Sequence, residues 1–231
     1  MLQLNPIIEP GDVIAVGDIH ARYDLLEVFV DSVRDSKATV ILLGDIIDRG
    51  GQDLEVLNKV NQLMTEPESE GLSNVFCLMG NHEAMFVDAM TGTYNSLSLW
   101  LQNGGNFEQY GEMSDHLEWL VELPVYITIA ETMFIHAGLY PGKDPLDAIN
   151  SGKTDSILWM REPFLTHGPE FEKWSPNLKQ VVFGHTPRGP LPYTVPGGGI
   201  CIDTGAYHTG VLTSYNVTRN TFNQYQLPSD A

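Results

Sequence analysis

Cysteine is scarce in this chain, with only Cys77 and Cys201 among 231 residues. Each sits inside an apolar, strand-like run, so the pair reads as two buried thiols in a reducing compartment rather than a disulfide. Positive charge is scarce as well: 12 Lys and Arg stand against 30 Asp and Glu, a formal net charge of −18. A partner held through its phosphate backbone needs a basic surface, so nucleic acid is not an expected ligand. The longest apolar runs fall far short of a bilayer span, which excludes a transmembrane helix and gives no reason to expect a membrane partner. The opening stretch Met1-Leu-Gln-Leu-Asn-Pro6 has no basic segment followed by an apolar one and does not read as a secretory leader. Repeats and low-complexity tracts are absent too. A cytoplasmic globular protein is left, and 42% apolar residues suffice for an ordinary interior. One domain over residues 1–231 is expected from the length.

What is present is an alternation. Val13–Val16, Thr39–Leu43 and Asn74–Met79 are short, apolar and rich in β-branched residues, so they read as buried strands. Each is followed by a polar turn and a helix-like stretch: Tyr23–Asp35, Asp53–Thr65 and His82–Met90. That order is the βαβ signature of a parallel sheet. A longer helical insert covers about 92–122, broken at Asn103-Gly-Gly-Asn106. Beyond Pro124 the pattern turns β-rich, with strands expected at Val125–Ala130, Thr132–His136, Gln180–Gly184, Gly199–Asp203, Val211–Val217 and Thr221–Tyr225, and one helical stretch near Asp144–Met160. The fold class that follows is α/β: two mixed β-sheets packed as a sandwich, flanked by helices on their outer faces.

Five short motifs end strand-like runs: Gly17-Asp-Ile-His20, Gly44-Asp-Ile-Ile-Asp-Arg49, Gly80-Asn-His-Glu83, His136-Ala-Gly138 and Gly184-His-Thr-Pro187. Side chains leaving the carboxyl ends of neighbouring parallel strands converge, and a preceding glycine lets backbone approach a ligand closely. Any one of these motifs is an ordinary capped turn. Together they deliver an oxygen or nitrogen ligand from five loops in sequence. Mixed Asp, Asn and His ligands suit manganese, iron, zinc or cobalt better than calcium or magnesium alone. Two such ions can clamp a phosphoryl group and hold a bridging hydroxide, provided one carboxylate reaches both. The arginines fit an anionic substrate: of six, Arg22, Arg49, Arg161 and Arg188 lie in or beside these motifs.

The motif set resembles the phosphoprotein phosphatases among the calcineurin-like metallophosphoesterases, in particular the compact bacterial and phage type. The resemblance runs from about Asp12 to Val217 and implies an α/β/β/α fold and a pair of divalent ions, manganese foremost. It implies that Asp18 and His20 bind the first ion, that Asp45 bridges, and that Asn81, His136 and His185 bind the second. It also implies His82 as general acid oriented by Asp48, with Arg49, Arg161 and Asn81 holding phosphate oxygens. These roles agree with elementary chemistry, since an imidazolium can protonate a leaving alkoxide and a guanidinium matches phosphate geometry. Arg161 lies in Leu158-Trp-Met-Arg-Glu162, similar to a Trp-x-Arg segment of the compact members; a surface ion pair with Glu162 is the plainer reading. Asp203-Thr-Gly205 also matches, with Asp203 expected behind the ligands.

Two departures matter. Ala21 stands where the family usually has glycine after its first histidine. Pro187 stands where phosphodiester-cleaving members carry a further histidine, and proline cannot coordinate. The expected activity is therefore hydrolysis of phosphomonoesters by direct attack of water, on phosphoserine or phosphothreonine and in some measure phosphotyrosine, in proteins or small phosphoesters. The alternative is hydrolysis of a symmetrical dinucleoside polyphosphate, with Trp100, Phe107 and Tyr110 stacking on bases; packing of a helical hairpin is the expected role of these rings. A catalytically silent metal-binding scaffold is a third reading. Tyr207 and His208 can line the cleft or serve only the loop, and His116 and His167 are expected to be solvated.

Overall fold

The computed structural model describes residues 3–4, 11–92 and 94–228. Residue 93 of the expected 92–122 insert lies outside these, as does most of the Met1–Pro6 stretch. Among the described residues, eleven strands form two mixed sheets. The five-stranded sheet runs β11 (Thr221–Tyr225), β10 (Leu212–Asn216), β2 (Val13–Val16), β3 (Thr39–Leu42), β4 (Asn74–Cys77). The six-stranded sheet runs β1 (Gln3–Leu4), β5 (Tyr126–Ile129), β6 (Thr132–Ile135), β7 (Gln180–Phe183), β9 (Gly199–Cys201), β8 (Tyr193–Val195). β2, β3 and β4 are mutually parallel, and so are β6, β7 and β9.

The strands are apolar on both faces because both faces are covered. Successive side chains alternate, so Val13 and Ala15 join Ile41, Ile127, Phe134 and Val182 in the layer between the sheets. Ile14, Val16, Val40 and Leu42 face outward onto helices α1 (Tyr23–Val33) and α2 (Asp53–Thr65). In α1 the buried residues Leu25, Leu26, Phe29, Val30 and Val33 recur at helical spacing. Burying each of these contributes about 1.5–3 kcal/mol relative to exposure. α3 (Asn81–Thr91) follows β4, and the insert consists of α4 (Tyr94–Gln102), α5 (Tyr110–Met113) and α6 (Leu117–Leu120), with its break at residues 103–106.

Several expectations need correction. β1 and β8 were not foreseen. β8 lies between Pro190, Pro192 and Pro196, a composition that reads as loop, and proline is tolerated there because β8 is an edge strand. The expected helical stretch near Asp144–Met160 is two short helices, Pro145–Asn150 and Asp155–Leu158, the first capped by the Asp144 side chain accepting the Leu146 N–H at 2.9 Å. His116 is buried, and its Nδ1 accepts the Trp119 Nε1–H at 3.1 Å, so it is not solvated. His167 is exposed, as expected, and Cys77 and Cys201 are buried and free.

Candidate metal centre

Five loops leave the carboxyl ends of β2, β3, β4, β6 and β7 and bring their polar side chains to one end of the sandwich. The chain turns sharply there. His20, Asp45, Asp48, Arg49 and His185 have φ of 48°, 49°, 70°, 73° and 67°, a region that residues with a Cβ seldom adopt. Several such residues at one place mark a geometry held by its surroundings. The glycines make room: a Cβ on Gly184 would overlap Asp18 Oδ1, and one on Gly80 would overlap Asp45 Oδ1. Ala21, the departure from glycine, is buried at φ 52°, and its N–H donates to Ile46 O at 2.8 Å, so its methyl group is accommodated.

Two sets of potential ligand atoms lie within 4.8 Å of one another: His20, Asp45 and His82, and Asp45, His136 and His185. Asp45 belongs to both. Its Oδ2 is 3.6 Å from His20 Nε2, and its Oδ1 is 3.4 Å from His136 Nε2. Asn81 Oδ1 lies 3.0 Å from His136 Nε2. Asp18 is buried beside them, but both its oxygens accept the His185 backbone N–H, at 3.0 and 3.2 Å. His82 thus stands in the first set where Asp18 was expected.

The donor set fits cations. His20 Nδ1 donates to Ile47 O at 3.0 Å and His136 Nδ1 to Leu43 O at 2.8 Å, since a carbonyl can only accept. His20 Nε2 then carries a lone pair facing inward, the usual arrangement of a metal-ligating histidine, and His136 Nε2 faces inward in the same way. His136 Nε2 faces two acceptors, Asn81 Oδ1 and Asp45 Oδ1, which a proton on the ring or a cation among them satisfies. Burial opposes that proton, but Asp45 outweighs it and raises the His136 pKa. His185 Nε2 and His82 Nε2 are buried without a hydrogen-bond partner among the described residues. Burial pushes the His20 pKa down to about 3 despite Asp45, and burial together with His136 pushes that of His185 to about 2, so both rings are neutral and free to act as ligands.

The carboxylates carry the same message. Burial, then Asp203 and Asp45, hold Asp18 well above the usual range. Burial takes Asp203 up to about 6, with its Oδ1 accepting the Gly205 N–H at 2.9 Å. Burial opposes ionisation of Asp45 too, but His136 and His82 outweigh it and hold Asp45 well below the usual range. So many buried acids require compensating positive charge.

The acid pair is tightly built. His82 Nδ1 is 2.6 Å from Asp48 Oδ2, both residues are fully buried, and His82 Nε2 points toward Asp45 Oδ2 at 4.0 Å. Burial opposes the imidazolium, but Asp45 and Asp48 raise the His82 pKa, while burial pushes Asp48 to about 6. Arg49 Nη1 lies 2.9 Å from His20 Nε2, and its guanidinium carbon sits 5.0 Å over the Tyr207 ring. Tyr207 therefore lines the cleft, edge-on to His20 at 5.3 Å. Arg161 is exposed at the rim, where its charge helps depress the His185 pKa. Glu162 is not its partner; Glu162 Oε2 accepts the Thr166 hydroxyl at 2.7 Å. Two of the four motif arginines stand apart: Arg22 pairs with Asp24 at 2.7 Å, and Arg188 lies over Tyr193 at 4.4 Å.

Sequence reasoning gave no role to Glu83. Its buried carboxylate accepts N–H bonds from Asp45 (2.8 Å), Ile46 (2.9 Å), Ile47 (3.4 Å) and Gly80 (2.9 Å), tying the bridging loop to the start of α3. The signal was present, since Gly80-x-x-Glu83 has capping-box spacing. Burial and then Asp45 push the Glu83 pKa up to about 7.

The family described as calcineurin-like phosphoesterase matches residues 11–218. A protein phosphatase 2A catalytic subunit of Dictyostelium discoideum is 29% identical over 159 residues, covering 64% of this chain and 48% of its own length, so the chain spans about half of that relative. Serine/threonine-protein phosphatase 2 of Salmonella typhimurium is 28% identical over 213 residues, covering 87% of this chain and 91% of its own. A solved structure described as a candidate diadenosine tetraphosphatase superposes with a TM-score of 0.66 at 22% identity, covering 99% of this chain and 98% of that one, which is a likeness of fold.

Proposed function

This chain belongs to the calcineurin-like phosphoesterase family, and from that premise we propose that it removes phosphate from phosphoserine and phosphothreonine in proteins, with two divalent ions, manganese foremost, at the centre. Iron, zinc and cobalt suit the same ligands. The observation that carries the reading is the buried His82–Asp48 pair at 2.6 Å, with the exposed Arg49 next in the chain to Asp48. A phosphomonoester with an alcohol leaving group needs such a donor. An enzyme that only binds metal does not.

Asp18, His20 and Asp45 would hold one ion and Asp45, Asn81, His136 and His185 the other. Bound ions supply Lewis-acid activation of water and neutralise the phosphoryl oxygens. The protein's own groups do the rest. His20 Nε2 has one lone pair, so were it to hold an ion Arg49 Nη1 would be released and the guanidinium fork would be free for phosphate oxygens. Arg161, exposed and near His185, would add a second cation for the same group. Water attacks phosphorus in line, without a phosphoenzyme. His82, held by Asp48, gives its Nε2 proton to the departing alkoxide.

The likeness of fold to a candidate diadenosine tetraphosphatase prompts a second reading, cleavage of a symmetrical dinucleoside polyphosphate. Against it, Trp100 is fully buried and offers no face to a base, whereas Phe107 is 61% exposed. Turnover of a phosphoserine peptide and of diadenosine tetraphosphate by the manganese-loaded protein decides between them. Higher kcat/KM on the peptide is expected; the reverse order would transfer the assignment to the nucleotide. No helix among the described residues is long and apolar enough to cross a membrane. The buried free thiols Cys77 and Cys201 suit a reducing compartment, and we propose the cytoplasm on that ground.

A further inference from the structure

The insert contributes a residue that the chemistry above leaves unused. Trp100 is fully buried in α4, its ring centroid 5.3 Å from that of Phe86 and 5.6 Å from that of Tyr110. Its Nε1–H points at Asp48, 3.0 Å from Oδ1 and 3.1 Å from Oδ2, so one donor spans both carboxylate oxygens. The residues just after it reach Arg49: Gly104 O accepts the Arg49 backbone N–H at 3.2 Å, and Asn103 O accepts Arg49 Nε–H at 3.4 Å. Gly105 is wedged against the indole, where a Cβ would overlap the ring. One short stretch of the insert therefore grips both Asp48 and Arg49.

We infer that Trp100 is a positioning residue for hydrolysis, acting through Asp48 to aim His82 Nε2 at the leaving oxygen. The inference rests on the reading of His82 as general acid. Indole is a donor without an acceptor, so it fixes the carboxylate's plane without competing for the proton that Asp48 receives from His82 Nδ1. Asp48 Oδ2 is then held where the 2.6 Å bond to His82 forms. A buried indole N–H needs some partner in any case, so a purely structural role would give the same hydrogen bond. The two roles differ in kinetics. Help from a general acid matters most where the leaving oxygen is a poor leaving group, and little where it is already activated.

The test compares the manganese-loaded full chain with Trp100→Phe on a phosphoserine peptide, phenyl phosphate and dinitrophenyl phosphate. Loss of a buried hydrogen bond to a charged group predicts about a 10- to 100-fold fall in kcat on the first two. The activated ester should lose less than about threefold, because its leaving group needs no proton. A loss uniform across all three, or none, overturns the inference. A wild-type protein that hydrolyses none of them overturns the phosphatase reading instead. Should Trp100→Phe fail to fold, benzothienylalanine at position 100 keeps the ring shape and removes only the N–H, and the same split across leaving groups decides.

Discussion

Replacing Glu83 with glutamine tests the frame of the site. The carboxylate takes four backbone N–H bonds, two on each oxygen: Asp45 and Gly80 on Oε2, Ile46 and Ile47 on Oε1. Whichever way the glutamine amide is turned, one pair of donors loses its acceptor and faces an NH2 group. Two buried N–H groups without partners cost about 2–6 kcal/mol together. A second effect opposes this. The Glu83 pKa is raised from 4.5 to about 7 in the fold, so the native state binds more protons than the unfolded chain across that interval. Stability therefore falls as pH rises from 4.5 through about 7, and at pH 7 ionisation of Glu83 costs about 3 kcal/mol that glutamine avoids. Without metal the second term offsets part of the first, leaving a net loss between about −1 and 3 kcal/mol. With ions bound, the repulsion from Asp45 is neutralised while the larger cost of burial stays, so more of the loss of the acceptor should appear. Urea unfolding of Glu83→Gln and wild type, in chelator and in manganese, measures both. Equal destabilisation in the two conditions would refute the reasoning.

Three further outcomes are expected. His82→Asn should lower kcat by about 10²–10⁴ with manganese content unchanged; loss of one ion per chain would instead make His82 Nε2 a ligand, as its place within 4.8 Å of His20 and Asp45 allows. Manganese uptake should release protons, because Asp18, Asp203 and Glu83 hold theirs above the ordinary carboxylate range without metal. Affinity should accordingly climb as pH rises through about 6 to 7, a trend that a pH indicator in weak buffer and a parallel titration can contradict. Burial raises the thiol pKa of both Cys77 and Cys201, so neither should react with iodoacetamide until the protein is unfolded in urea. Fast labelling of the native chain would contradict the packing.

Much of this molecule was readable from the chain because its central strands are buried on both faces. Such strands are plain apolar runs, and each ligand-bearing loop follows one within a few residues. β8 was not readable, since its proline-rich flanks imitate a loop and only pairing with β9 makes it a strand. Pairings between distant residues were also hidden. Trp100 and Asp48 are 52 positions apart, and nothing in either neighbourhood announces the other. His116 looked polar by its neighbours, yet a single indole three residues on satisfies it inside the fold. Arg22 and Arg188 looked like substrate contacts by proximity in sequence, but local partners claim both. Asp18 shows the limit from the other side: its motif was legible, whereas the His185 N–H that occupies its oxygens belongs to a loop 167 residues away.

The Asp18–His185 contact has a mechanical meaning beyond ligand geometry. Asp18 extends from the five-stranded sheet and His185 from the six-stranded one, and His136 crosses the same gap to Leu43 O. The centre is thus a rivet through two plates. At that end the plates meet through polar groups rather than through interdigitated side chains, so ion occupancy sets how firmly the seam is closed. Stripping the ions should let hydrogen exchange accelerate first along the ends of β2 and β7, while the interior of each plate stays protected.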